Sequence, residues 1–131
     1  MSALSLELTY LVWSVALCVV QMLFAVNTAL PQVGFPTIIG NRDKMPALEG
    51  LAGRALRAHC NMLENLPLFI ALVLVAQVAG RSNSMTVLGT QLFFYGRLAH
   101  AVIYLIGIPY LRTLAWAVSM AGLVMIFLQL V

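Results

Sequence analysis

Arg57, Asn61 and Glu64 stand at i, i+4 and i+7, so one helical face carries a cation, an amide and a carboxylate. Arg97, His100 and Tyr104 repeat the arrangement at i, i+3 and i+7, and Arg112 with Thr113 follows further along the chain. Three guanidiniums against one carboxylate favour an anionic ligand, because Arg offers a rigid fork to carboxylate or phosphate. Glu64 complements them by accepting an ammonium from the same molecule. Asn61 and His100 add neutral hydrogen-bonding groups, and Tyr104 adds a hydroxyl donor with an aromatic face. The chemistry these types ask for is recognition of a small zwitterion with surplus negative charge.

The elements that must position these groups are apolar. Of the 131 residues, 63% are hydrophobic and 8% charged, against about 45–50% and about 25% in a soluble domain. A water-soluble fold is excluded, and residues 1–131 read as one all-α integral membrane domain. The net charge of +3 is too sparse, and its basic residues too scattered, for a nucleic-acid surface. Cys18 and Cys60 lie in apolar helical runs, so no disulfide framework is expected. His59 and His100 lack companion ligands, so no metal site is expected. There is no Gly-rich phosphate loop and no nucleophile elbow.

Four spans are expected, over about residues 6–30, 51–79, 85–107 and 110–131, each long enough for a bilayer core that requires ~20 residues, and the second longer than that core. The first lacks a positive flank and a small-residue cleavage site, and is read as retained. Glu7 sits at its edge, and Gln21 in its interior reads as an interhelical hydrogen-bonding group. Residues 31–50 read as a loop broken by Pro31, Gly34, Pro36, Gly40, Pro46 and Gly50. Pro67 removes a backbone donor and should kink span two just past Glu64. Gly89 and Gly96 are small enough for close helix approach.

Arg42, Lys44, Arg54, Arg57 and Arg112 fall on one side of this topology and Arg81 on the other. The positive-inside rule then places the 31–50 loop in the cytoplasm and both termini outside. Arg57, Asn61, Glu64, Arg97, His100, Tyr104 and Arg112 converge from three helices in the cytoplasmic half, around a polar pocket. Plainer roles remain open for each: a structural ion pair of Glu64 with Arg57 or Arg97, and an interfacial belt position for Tyr104. His59 points about 160° from Arg57, off that face, and Cys60 reads as inert packing.

Two segments carry a resemblance. Residues 54–67 read Arg-Ala-Leu-Arg-Ala-His-Cys-Asn-Met-Leu-Glu-Asn-Leu-Pro, and residues 96–104 read Gly-Arg-Leu-Ala-His-Ala-Val-Ile-Tyr, with Arg112 beyond. In order, spacing and placement the chain resembles the MAPEG family, membrane-associated proteins in eicosanoid and glutathione metabolism that include microsomal glutathione transferases. The resemblance implies a four-transmembrane-helix bundle assembling as a homotrimer, with glutathione between subunits on the cytoplasmic side. It implies that Arg57, Asn61, Glu64, Arg97, His100 and Tyr104 match glutathione-binding positions, with Arg112 beside the thiol and Thr113 at a neighbouring hydroxyl position. Cys60 stands where some members carry another Arg, and Gly53 where an acidic residue is common. Residues 31–36 lack a basic cluster found in some eukaryotic members.

The expected function is that of a membrane glutathione transferase, serving detoxification. It would join glutathione to hydrophobic electrophiles from the bilayer, or use it to reduce peroxides. Arg112 and Tyr104 would be the catalytic pair, because a nearby cation favours a thiolate, which is the nucleophile. The alternatives are a non-catalytic lipid-binding scaffold of the same fold and a small four-helix drug exporter. The exporter would need a membrane-embedded carboxylate in span one, where only Glu7 stands.

Overall fold

A computed structural model describes residues 3–131 as five helices. They are α1 (Leu6–Val33), α2 (Phe35–Ile39), α3 (Gly50–Val78), α4 (Ser84–Ile106) and α5 (Pro109–Leu128). Three of them, α1, α3 and α5, are long and apolar enough to cross a membrane. The fourth long helix, α4, has 23 residues and holds Arg97 and His100.

Sequence chemistry fixes most of the ends. Ser5 caps α1 by accepting from the Leu8 amide at 3.3 Å. Asn83 opens α4 with a capping box: its side chain accepts from Met85 and Thr86 amides, and Thr86 Oγ1 accepts from the Asn83 amide. Gly107 closes α4 in the left-handed region (φ 92°), its amide returning to the Ile103 carbonyl. Pro109 then starts α5, where a missing amide costs nothing.

Two expectations about breaks are corrected. Pro31 lies inside α1 rather than ending it. It sits in the last turn, where it removes one i→i−4 hydrogen bond, to the Asn27 carbonyl, without ending the helix. Residues 31–50 are also not wholly loop, since Phe35–Ile39 forms a short helix with Pro36 in its first turn. Span two passes through Pro67 as one helix, Gly50–Val78. The start of α3 is held to the end of α1 by the Gln32 amide, which donates to the Glu49 carbonyl (2.9 Å) and accepts from the Glu49 amide (3.0 Å).

Lipid supplies little hydrophobic drive between helices, so packing depends on close approach of small residues. Against α1, whose inward side chains include Ser14, Cys18, Ala25 and Ala29, α3 sets Ala52, Ala55 and Ala58. The tightest seam joins α4 to α5. A Cβ on Gly96 would lie 2.8 Å from the Ser119 amide nitrogen, and one on Gly89 would lie 2.8 Å from the Gly122 carbonyl oxygen. The central core gathers Met62, Phe69 and Val73 of α3, Phe93 of α4 and Ile126 of α5. The Phe69 and Phe93 rings stack at 4.0 Å. Outward faces present Trp13, Val20, Leu68, Val78 and Leu114, as expected of a protein whose solvent is hydrocarbon.

Two polar groups behave differently from their expected roles. The buried Oε1 of Gln21 finds no partner among the described residues, because the cleft around it is walled by Leu, Ala, Val and Phe side chains. Glu7 is not at a wet edge but 3% exposed. Its carboxylate accepts hydrogen bonds from Ser82 and, at 2.8 Å, from Thr86. This ties the start of α1 to the turn between α3 and α4. Asn83 Nδ2 then donates to Gln129 Oε1 at 3.0 Å, bringing in the end of α5.

Because backbone atoms, not flexible side-chain ends, face Gly122, Gly122→Ala must push α4 from α5. Its expected cost is about 1–3 kcal/mol, read as a lowered thermal unfolding midpoint in detergent.

Candidate functional site

The site begins with Arg97, only 1% exposed although it is the longest cation in the bundle interior. A charge in an apolar interior is costly unless hydrogen-bonded. Its Nη2 donates to Asn61 Oδ1 at 2.8 Å, which joins α4 to α3. Asn61 is itself braced one turn on, where Asn65 Nδ2 donates to the Asn61 carbonyl at 2.7 Å. Asn65 is buried and thus part of the same network, a role its position in the motif did not reveal. Arg97 Nε and Nη1 and His100 Nδ1 are buried without partners among the described residues. Donor capacity therefore exceeds what the chain itself uses at this level.

Above this layer lies an open recess of about 260 Å³, lined by Asn61, His100, Tyr104, Arg112, Thr113 and Trp116. One helix turn places Tyr104 after His100, and their rings meet edge to face at 5.4 Å. Arg112 enters from the first turn of α5 and lays its guanidinium carbon 4.3 Å over the centroid of the Tyr104 ring. A cation over an aromatic face is held without consuming its N–H donors. Thr113 Oγ1 donates to the Pro109 carbonyl at 3.3 Å. The α4–α5 turn that aims α5 is pinned from α3, where Arg54 Nε donates to the Leu105 carbonyl at 3.0 Å.

The sequence-derived set is therefore divided by the fold. Asn61, His100, Tyr104, Arg112 and Thr113 share the recess, and Arg97 lies beneath them through Asn61. Arg57 and Glu64 are exposed on the outward face of α3 and do not line it. Trp116 was missed. Its spacing of i+4 from Arg112 and i+3 from Thr113 was a usable signal, masked by the apolar run around it. Gly53 has a local reason to lack a side chain, since a Cβ there would sit 2.7 Å from the Leu48 carbonyl oxygen. Cys18 and Cys60 are free thiols, the first buried and the second exposed.

Convergent donors at one end of an apolar helical bundle define an integral membrane protein with a polar, anion-favouring recess. The chain belongs to the MAPEG family, whose model matches residues 10–131, and so to membrane proteins of the glutathione and eicosanoid metabolism type. No curated protein and no solved structure matches it significantly.

The Asn61–Arg97 bond carries a neutral acceptor to a buried charge. Asn61→Ala is expected to cost about 1.5–3 kcal/mol, and Asn65→Ala about 0.5–1.5 kcal/mol. Chemical unfolding of the two variants in detergent would check that order.

Proposed function

We propose that the protein is a glutathione transferase of the membrane, working on hydrophobic electrophiles that reach it through the bilayer, with reduction of lipid peroxides as a companion activity. The observation that carries this reading is the Arg112 guanidinium poised over Tyr104 at the mouth of a recess that also holds His100, whose Nδ1 has no partner among the described residues. Glutathione supplies a nucleophilic sulfur. Arg112 offsets developing negative charge there, lowering the cost of losing the thiol proton. Tyr104 and Thr113 offer hydroxyl groups, and His100 and Asn61 orient polar ends of the tripeptide. Arg97 acts one layer below, holding Asn61 in place.

The recess fits the group only in part. At about 260 Å³ it falls short of the roughly 300–1,000 Å³ of sites that enclose a ligand. A neighbouring protomer would supply the missing wall, in line with the homotrimer of four-span protomers expected from the resemblance. In that assembly the outward-facing Arg57 and Glu64 gain cover and a route to the tripeptide's charged ends. The distribution of basic residues argues for a cytoplasmic site and external termini.

The test is ultraviolet absorbance of thiolate on adding glutathione to the detergent-purified protein, with Arg112→Ala in parallel. A thiolate band in the wild type and its loss in the variant are expected. Turnover of a model electrophile should fall on the order of 10²-fold, as when one charge-stabilising donor is removed from an active site. No band, with no heat of binding, would instead leave the lipid-binding scaffold as the better reading.

A further inference from the structure

Three aromatic side chains meet on the outward flank where α1 lies beside α4. Tyr10 comes from α1, and Phe94 and Tyr95 come from α4. The Tyr10 ring centroid lies 5.6 Å from that of Phe94 and 5.8 Å from that of Tyr95. The two phenol oxygens stand 3.3 Å apart, in a hydrogen bond where either hydroxyl can donate. Neither hydroxyl makes another hydrogen bond among the described residues. Tyr95 is 54% exposed and Tyr10 half-buried, so the pair is open to whatever surrounds the bundle.

The depth of this pair sets it apart. Tyrosines of membrane proteins gather at the two interfaces, where the hydroxyl meets water. Tyr95 instead stands at the midpoint of the 23-residue α4, about 16 Å from either end of the helix. Leu6 and Trp13 flank Tyr10 along α1, and Leu88, Leu98 and Val102 flank Tyr95 along α4, all of them exposed. The two phenols therefore face hydrocarbon.

A single bond between two hydroxyls engages one of their two protons. At 3.3 Å it is also long for an O–H···O bond, so little of either group's capacity is spent. The second proton has no acceptor in the chain, and hydrocarbon offers none. A free phenolic O–H whose oxygen already accepts from a second phenol is arranged as a hydrogen-atom donor. When its hydrogen atom leaves, the oxygen-centred radical left behind keeps the neighbour's hydrogen bond, which lowers the cost of forming it. A solitary phenol has no such support.

We propose that Tyr10 and Tyr95 form a radical-trapping pair that intercepts lipid peroxyl radicals inside the bilayer. One phenol gives up its hydrogen atom, its O–H bond breaking as a new O–H bond forms on the peroxyl oxygen. The products are a lipid hydroperoxide and a phenoxyl radical hydrogen-bonded to the other tyrosine. The phenoxyl ends by coupling through a ring carbon to a further peroxyl radical, forming a carbon–oxygen bond and consuming both unpaired electrons. This activity goes beyond the glutathione reading and does not require it, although the hydroperoxide released belongs to the class proposed for reduction there.

The experiment places the full chain in liposomes of dilinoleoyl phosphatidylcholine with a lipid-soluble azo initiator and no glutathione, and follows oxygen uptake. The wild type is expected to impose a lag that lengthens with protein concentration. Tyr10→Phe and Tyr95→Phe keep the ring and lose the hydroxyl, and each alone should slow trapping about tenfold, the rate equivalent of one hydrogen bond. Tyr110→Phe removes a lone phenol, 89% exposed at the start of α5, and should leave the lag unchanged. Mass spectrometry of the oxidised wild type, which depends on no variant, should find peroxyl adducts on Tyr10 or Tyr95 and not on Tyr110. An undiminished lag in the Tyr10→Phe/Tyr95→Phe double variant would overturn the proposal, as would adducts spread equally onto Tyr110. Losses in the single variants that simply share the wild-type rate between them would also overturn it, marking independent phenols. Absence of any lag in the wild type would do the same, and is the result expected if a second copy covers the pair. Because glutathione is left out, none of these outcomes bears on the reading of the Arg112 recess.

Discussion

The bond between Arg97 and Asn61 sets the terms for the rest of the structure. A guanidinium cannot be left bare among apolar helices, and here its one partner is the carbonyl oxygen of an amide on the neighbouring helix. Because that partner is neutral, the positive charge is not cancelled. Glu64, exposed on α3, is the carboxylate near enough to act on that charge, and it does so without a hydrogen bond among the described residues. An Arg–carboxylate pair in the same place would have been tighter for the free protein and would have consumed the attraction. Nε and Nη1 of Arg97 are also buried without partners among the described residues, so the fold uses only part of the guanidinium's hydrogen-bonding capacity.

Around that bond, the helices divide the labour. The α4–α5 seam is glycine-lined and nearly rigid, so Arg97, His100 and Tyr104 on one helix keep a fixed relation to Arg112 and Thr113 on the other. Contact between α3 and α5 is slighter, and the recess opens where those helices part. At the far end, Glu7, Ser82, Thr86, Asn83 and Gln129 form a polar knot that joins three segments of chain. The bundle is thus tied at the end away from the recess by side chains of three segments, and at the recess end by the Gln32–Glu49 and Arg54–Leu105 bonds.

Much of this was legible in the sequence, for reasons of period and polarity. The four expected spans correspond to the long helices α1, α3, α4 and α5, three of them long and apolar enough to cross a membrane, and the spacing of Arg97, His100 and Tyr104 puts them on one face whatever the tertiary packing. Arg57, Asn61 and Glu64 were harder. On an ideal helix Asn61 lies about 40° from Arg57 and about 60° from Glu64, on the side toward buried Ala58, Met62 and Asn65. That offset is enough to turn Asn61 inward and leave the other two outside, and only packing reveals which flank is inward. Pro31 and the 35–39 helix were obscured because proline and glycine signal both helix ends and helix first turns. Glu7 was opaque for another reason. Its partners Ser82 and Thr86 lie 75 and 79 residues away, and no local pattern encodes such a pairing.

The turn at Gly107 to Pro109, stapled to α3 by Arg54, has a wider consequence. Arg112, Thr113 and Trp116 all hang from the stretch of α5 between that turn and the seam at Ser119 and Gly122. One residue added inside the helix between Trp116 and Ser119 would rotate all three by about 100° relative to the seam and carry them away from Tyr104 together. Substitutions within α5 can retune the recess one side chain at a time, whereas an insertion there erases the recess in a single step. Sequence drift in this region is thereby channelled toward changes of side-chain identity at constant length.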